Sequence, residues 1–176
     1  MPVRILIADD DSTIRMLFRR MLEAQPDWQV CSEAVNGVEA VEQAARVAPD
    51  VAILDLSMPV MNGLDAAREI SHSNPELPML LISVQEISDQ LVEAARKAGF
   101  SGAITKSRGR EVVRGVDRVL QAAVDRRVVG AALGDRAGGV GERLAALVGE
   151  LHRDDRRTAR PALDVLLWVL DVGAAE

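Results

Sequence analysis

Short apolar runs alternate with stretches of helical spacing from residue 3 to about residue 124. The runs at 3–8, 29–34, 51–54, 79–83 and 102–105 predict strands. The first, third and fourth are almost continuously apolar, as strands covered on both faces should be. Between the runs, apolar residues recur with the period of one helix face. Ile14, Leu17, Phe18, Met21 and Leu22 form one such stripe, with Arg15, Arg19 and Arg20 lying largely off it on an expected solvated face. Asp11 or Ser12 is placed to cap that helix, and Pro26 with Asp27 to end it. Val38, Val41, Ala44 and Ala45 predict a second helix, closed by Pro49. Leu64, Ala67 and Ile70 predict a short third after Asn62 and Gly63, which leaves His72 in a loop. Leu91, Ala94, Ala95 and Ala98 predict a fourth, stopped by Gly99. Val112, Val113, Val116, Val119, Leu120 and Ala123 predict a fifth.

Five strands alternating with five helices give an α/β fold, a doubly wound five-stranded parallel sheet with right-handed crossovers. The flavodoxin-like order 2-1-3-4-5 is the natural choice for five such units. It makes the first and third strands neighbours, and their carboxyl ends then open onto one crevice. The residues at those ends are unusual. Asp9, Asp10 and Asp11 follow the first strand, Asp55 closes the third, Ser83 ends the fourth and Lys106 follows the fifth. Carboxylates crowded together repel unless something positive neutralises them. Magnesium suits such a site, being satisfied by a few carboxylates and waters. Asp9, Asp10 and Asp55, with a backbone carbonyl near Ser57, can supply its oxygens. Asp55 is then placed to attack phosphorus, Ser83 to donate to one phosphoryl oxygen and Lys106 to pair with another.

Composition narrows the class. The formal net charge of −6 provides no basic field that would make nucleic acid a primary partner. Cys31 is the sole cysteine, so no internal disulfide forms; it is expected to be a small buried hydrophobe in a reducing, cytoplasmic setting. No segment approaches the roughly 18 continuous apolar residues of a membrane helix. Lys97 and Lys106 are the only lysines in an arginine-biased chain, which favours a dedicated role for a lysine at a strand end.

Four motifs carry a resemblance. They are Asp9-Asp10-Asp11-Ser12-Thr13-Ile14-Arg15, the stretch from Asp55 through Pro59 to Asn62-Gly63, Leu81-Ile82-Ser83, and the stretch from Gly99 to Lys106. Together they resemble the receiver domain of a two-component response regulator, over residues 1 to roughly 125. The resemblance implies that Asp55 is the phosphoacceptor, that Asp9, Asp10 and Asp55 hold Mg2+ with the Ser57 carbonyl, and that Ser83 and Lys106 contact the phosphoryl group. The implied donor is a histidine kinase or phosphotransfer protein. Two positions depart from the family pattern. Ala103 stands where an aromatic residue often swings inward, and Ser107 replaces the proline that often follows the lysine, as in the NarL/FixJ class. Signal output would then rest on Ser83 and on movement of the loop and helix after it.

The expected organisation is a receiver domain over 1–125, a Gly- and Ala-rich linker over 126–140 and a helical extension over 141–176. Within the extension, the run from Thr158 through Pro161 to Leu170 resembles the start of a LuxR-type helix-turn-helix, whose second helix is missing. DNA is therefore an expected partner only if a complete output domain exists beyond Glu176. Otherwise Leu163, Leu166, Leu167 and Leu170 would serve dimerisation or docking on a partner, or pack back on the receiver. His152 has no second ligand at metal spacing and is expected to be a surface residue. The chain is expected to be a switch rather than an enzyme. An aspartyl-phosphate phosphohydrolase would need a second acid where Ser57 stands. A partner-binding receiver without phosphorylation is opposed by the intact set Asp9, Asp10, Asp55, Ser83 and Lys106.

Overall fold

The computed structural model describes residues 2–106 and 109–134. Its elements are β1 (Val3–Ala8), α1 (Ser12–Glu23), β2 (Trp28–Ala34), α2 (Gly37–Val47), β3 (Val51–Asp55), α3 (Gly63–Ser73), β4 (Met79–Ser83), α4 (Asp89–Lys97), β5 (Gly102–Thr105) and α5 (Gly109–Gly134). The strands form one parallel sheet in the order β2-β1-β3-β4-β5, the expected flavodoxin-like arrangement. The chain divides into two units, Met1–Gln121 and Ala122–Glu176, and of the second only the helical residues 122–134 are described. Ser107 and the extension over 141–176 lie outside the described residues.

Alternation along each central strand feeds two cores. Ile5, Ile7, Val51, Ile53, Leu80 and Ile82 point to one face and pack with Phe18 and Leu22 of α1 and Val112, Val116 and Val119 of α5. Leu6, Ala8, Ala52, Leu54, Met79 and Leu81 point to the other and pack with α2, α3 and α4. Both sets are buried, which explains why these strands read as continuous apolar runs instead of alternating ones. Edge strand β2 behaves differently. Its register against β1 shifts between Ile5 and Leu6, and the Cys31 thiol there donates to the Ile5 carbonyl at 3.4 Å. Cys31 is half-buried instead of fully covered, and burial raises its thiol pKa.

Local chemistry settles the helix ends. Asp11, not Ser12, caps α1, accepting from the backbone of Thr13 and Ile14. Those two bonds hold its carboxyl below the ordinary range. Asn36, Asn62 and Ser88 cap α2, α3 and α4 in the same way. Helix α3 is longer than its apolar pattern indicates, so His72 sits in its last turn and not in a loop. Helix α5 continues to Gly134, into the span expected as linker. Leu17, expected in the buried stripe of α1, lies at its margin and is 45% exposed.

After α4 the chain turns at Gly99, whose φ of 99° lies in the left-handed region. A Cβ there would stand 1.9 Å from the Ser71 hydroxyl oxygen, which itself donates to the Ala98 carbonyl. Gly99→Ala is expected to cost about 1–3 kcal/mol through backbone strain and this overlap. Urea denaturation measures it, and an unchanged midpoint would contradict the assignment.

Candidate functional site

Because β1 and β3 are neighbours and β4 and β5 follow in order, four chain segments end together at the carboxyl edge of the sheet. Asp9 follows β1 and is fully buried, Asp55 is the last residue of β3 and 3% exposed, and Ser83 is the last residue of β4 and 1% exposed. Asp10 is exposed at the rim. Backbone bonds lock the ends to one another: the Leu56 N–H donates to the Ile82 carbonyl at 2.9 Å and the Lys106 N–H to the Ser83 carbonyl at 2.7 Å.

Lys106 closes the group. Its Nζ lies 2.8 Å from Asp9 Oδ2 and 3.0 Å from Asp55 Oδ1, with the lysine side chain 9% exposed. The ammonium thus bridges the two buried carboxylates that the sequence placed on neighbouring strands. Carboxylate oxygens of Asp9, Asp10 and Asp55 lie within 4.8 Å of one another. Asp9 Oδ1 accepts from the Asp11 N–H at 3.0 Å, whereas the buried Oδ2 has no aligned hydrogen bond and only the close ammonium beside it. Three carboxylates against one ammonium, all ionised, leave two negative charges in excess. A small hard divalent cation with oxygen ligands fits that donor set and that charge. Ser57 is exposed in the loop after Asp55, where its carbonyl is a candidate further ligand.

Ser83 is brought to the same edge, and its Oγ already accepts from the Gln85 N–H at 3.0 Å. The hydroxyl proton stays available to another acceptor. Two participants escaped the sequence reading. Gly63 opens α3 directly behind Asp55: a Cβ there would fall 2.2 Å from the Asp55 carbonyl oxygen, so only glycine allows that approach. Its signal was a glycine spent at a helix start, which costs propensity. Arg15, expected on a solvated face, is instead 13% exposed and donates from Nη1 to the Asp9 carbonyl at 2.7 Å. No periodicity reveals that contact. In the loop between β3 and α3, Val60 holds φ 67° at 86% exposure, a strained conformation for a β-branched residue.

The Asp55 carboxyl sits above the ordinary range. Burial is the main cause, Lys106 opposes it, and Asp9 and Asp10 add to the rise. Burial alone would lower Lys106, but its contacts with Asp9 and Asp55 outweigh that and raise it. Lys106 therefore contributes stability at neutral pH that is lost only as pH climbs through its raised value. Asp55 has the opposite sense. It binds its proton more tightly in the folded chain, so stability falls as pH rises from the ordinary carboxylate value through the raised one.

Comparison with known proteins agrees with this architecture. The family model described as the response regulator receiver domain matches residues 5–116. Among curated proteins, the chain is 39% identical over 102 residues to a protein-glutamate methylesterase/protein-glutamine glutaminase of Pyrococcus abyssi, a match covering 58% of this chain and 27% of that protein. The chain therefore spans well under half the length of such relatives. Among solved structures, it is similar to the response regulator domain of Thermotoga maritima CheB, with 30% identity and a TM-score of 0.61 over 70% of this chain and 96% of that one. It is also similar to the signal receiver domain of the putative response regulator NarL from Mycobacterium tuberculosis, with 32% identity and a TM-score of 0.63 over 68% and 97%.

Without added cation, Asp55→Asn is expected to melt at a higher temperature than the parent near neutral pH, because it removes a charge that burial and two neighbouring acids disfavour. The gap should close as pH falls through the carboxylate range. Thermal melts across that range check it; a variant less stable than the parent at neutral pH would contradict it.

Proposed function

We propose a function from the premise that the chain belongs to the response regulator receiver domain family: it is a phosphorylation-gated switch in which Asp55 accepts a phosphoryl group from a phosphohistidine. The donor is a histidine kinase or phosphotransfer protein. One observation carries the reading. Asp55, its side chain only 4% exposed, stands at the open edge of the sheet with an ammonium at 3.0 Å and two further carboxylates in reach of one cation.

In the proposed transfer, an Asp55 carboxylate oxygen forms the new P–O bond as the P–N bond to the donor imidazole breaks, and the electron pair leaves with the ring nitrogen. Asp9, Asp10 and Asp55, with the Ser57 carbonyl, would hold Mg2+, which when bound supplies positive charge opposite the phosphoryl oxygens. Lys106 exchanges its contact with the Asp55 carboxylate for one to a phosphoryl oxygen and keeps its contact with Asp9. Ser83 donates its hydroxyl proton to another phosphoryl oxygen while still accepting from Gln85. Burial of Asp55 and Ser83 limits the approach of water to the acyl phosphate.

The output belongs to the proposal as well. Ser107 favours a NarL/FixJ-like class, in which the residues over 141–176 would begin a LuxR-type output segment or serve dimerisation. Transcription regulation through DNA is the reading that the first alternative supports, and partner binding without DNA the second. The esterase activity named for the curated relatives is not carried over, because the family match falls on the receiver stretch alone. Among the described residues no helix is long and apolar enough to cross a membrane.

With Mg2+ and acetyl phosphate, the parent is expected to gain one phosphoryl group by intact mass, and Asp55→Asn none. Lys106→Ala should slow the gain roughly 10²-fold, the scale of losing one charged stabiliser of the transition state. An Asp55→Asn variant phosphorylated to the parent's extent would overturn the assignment.

A further inference from the structure

We infer that Arg15 is a positioning residue for the cation site, acting through the backbone carbonyl of Asp9; the inference rests on the reading of Asp9, Asp10 and Asp55 as cation ligands. Asp9 is fully buried, so each of its polar atoms needs a partner. Its N–H donates to the Ala34 carbonyl at 3.1 Å, and its Oδ1 accepts from the Asp11 N–H at 3.0 Å. Its Oδ2 faces Lys106, and its carbonyl accepts from Arg15 Nη1 at 2.7 Å. The guanidinium supplies the one of these contacts that comes from a side chain to the backbone of the turn. That turn sets the direction in which Asp9 and Asp10 leave β1.

Arg15 is itself oriented. Its Nε donates to Glu33 Oε2 at 3.1 Å, so the planar fork is held on one side by a carboxylate from β2 while the other side reaches the turn. Arg19 completes the arrangement, donating from Nε to Glu33 Oε1 at 2.7 Å and from Nη1 to Glu23 at 3.0 Å. Burial alone would raise the Glu33 carboxyl, yet its bonds to Arg19 and Arg15 hold it below the ordinary range, so it keeps its charge at neutral pH. Both arginines tie α1 to β2 through one glutamate, but only Arg15 touches the residue that carries a proposed ligand. A purely structural role for both would show in stability and leave cation affinity no more sensitive to Arg15 than to Arg19. A positioning role makes them differ in cation affinity.

The full chain and its Arg15→Ala, Arg15→Lys and Arg19→Ala variants separate these roles, with Mn2+ as the probe. The dissociation constant is read by paramagnetic resonance or calorimetry, beside the urea midpoint of each protein. Arg15→Ala is expected to weaken Mn2+ binding about tenfold, the scale seen when a group that orients a metal ligand is removed, and Arg19→Ala less than about twofold. Arg15→Lys keeps the charge but cannot bond Glu33 and the Asp9 carbonyl in one plane, so it should also bind more weakly than the parent, and it serves if the alanine variant does not fold. Equal affinities for the parent and the folded Arg15 variants overturn the inference, as do equal losses for Arg15→Ala and Arg19→Ala. Failure of the parent itself to bind Mn2+ overturns the cation site and the inference together, an outcome distinct from either of these.

Discussion

The ammonium of Lys106 lies between two carboxylates that have almost no access to water, and the rest of the site is arranged around that fact. Buried like charges cannot coexist ionised without compensation. Asp9 and Asp55 are held side by side by the pairing of β1 with β3, so the sheet itself creates the repulsion. A single lysine delivered from the end of β5 offsets part of it. The remaining excess of negative charge is a standing demand for a cation, and the exposed Asp10 is where such an ion would meet solvent. Under the proposed function, Lys106 would also compete with a phosphoryl group for Asp55, because the contact it now makes would have to be exchanged. On that proposal one salt bridge would serve both as scaffold for the resting state and as the contact redirected by phosphorylation.

Such a site tolerates little positional slack, and the backbone around it is correspondingly constrained. Gly63 brings the start of α3 against the Asp55 carbonyl at a distance that no side chain permits. The Asp9 carbonyl is bonded to a guanidinium whose own orientation is fixed from β2. The loop between β3 and α3 stores strain at Val60. These are backbone constraints more than side-chain chemistry, and they place acids that would otherwise separate to relieve their repulsion.

Legibility in the sequence follows the same division. Strands covered on both faces leave apolar runs that locate β1, β3 and β4, and the acids, serine and lysine at strand ends stand out against those runs. The sheet order then brings Asp9, Asp55 and Lys106 together with no further information. What escaped depends on geometry that no period encodes. Arg15 looks like an ordinary solvated arginine because its partners, Glu33 and the Asp9 carbonyl, come from other elements. Gly63 looks like a helix-start residue, since its role is to lack a side chain. The apolar pattern leaves His72 in a loop because α3 continues past its last apolar residue, Ile70, on polar residues that carry no periodic signal. Ser73 donates to the Glu69 and Ile70 carbonyls.

Ala103 bears on how the site reaches a distant surface. It pairs with Leu81 across the β4–β5 ladder, while Ser83 pairs with Thr105 two residues further along. An alanine has no torsion through which to report a change at the sheet edge. Ser83 does, and its oxygen is bonded to the backbone of Gln85, two residues into the connection that leads to α4. Under the proposed function, any displacement of the Ser83 hydroxyl toward a phosphoryl oxygen pulls directly on that N–H. The connection from Val84 to Ser88 is then the element with a direct mechanical link to the site, and Val84 within it is 72% exposed. Under the same proposal, this backbone-coupled loop is the candidate for the part that a rotating ring would otherwise play, since Ala103 supplies no ring.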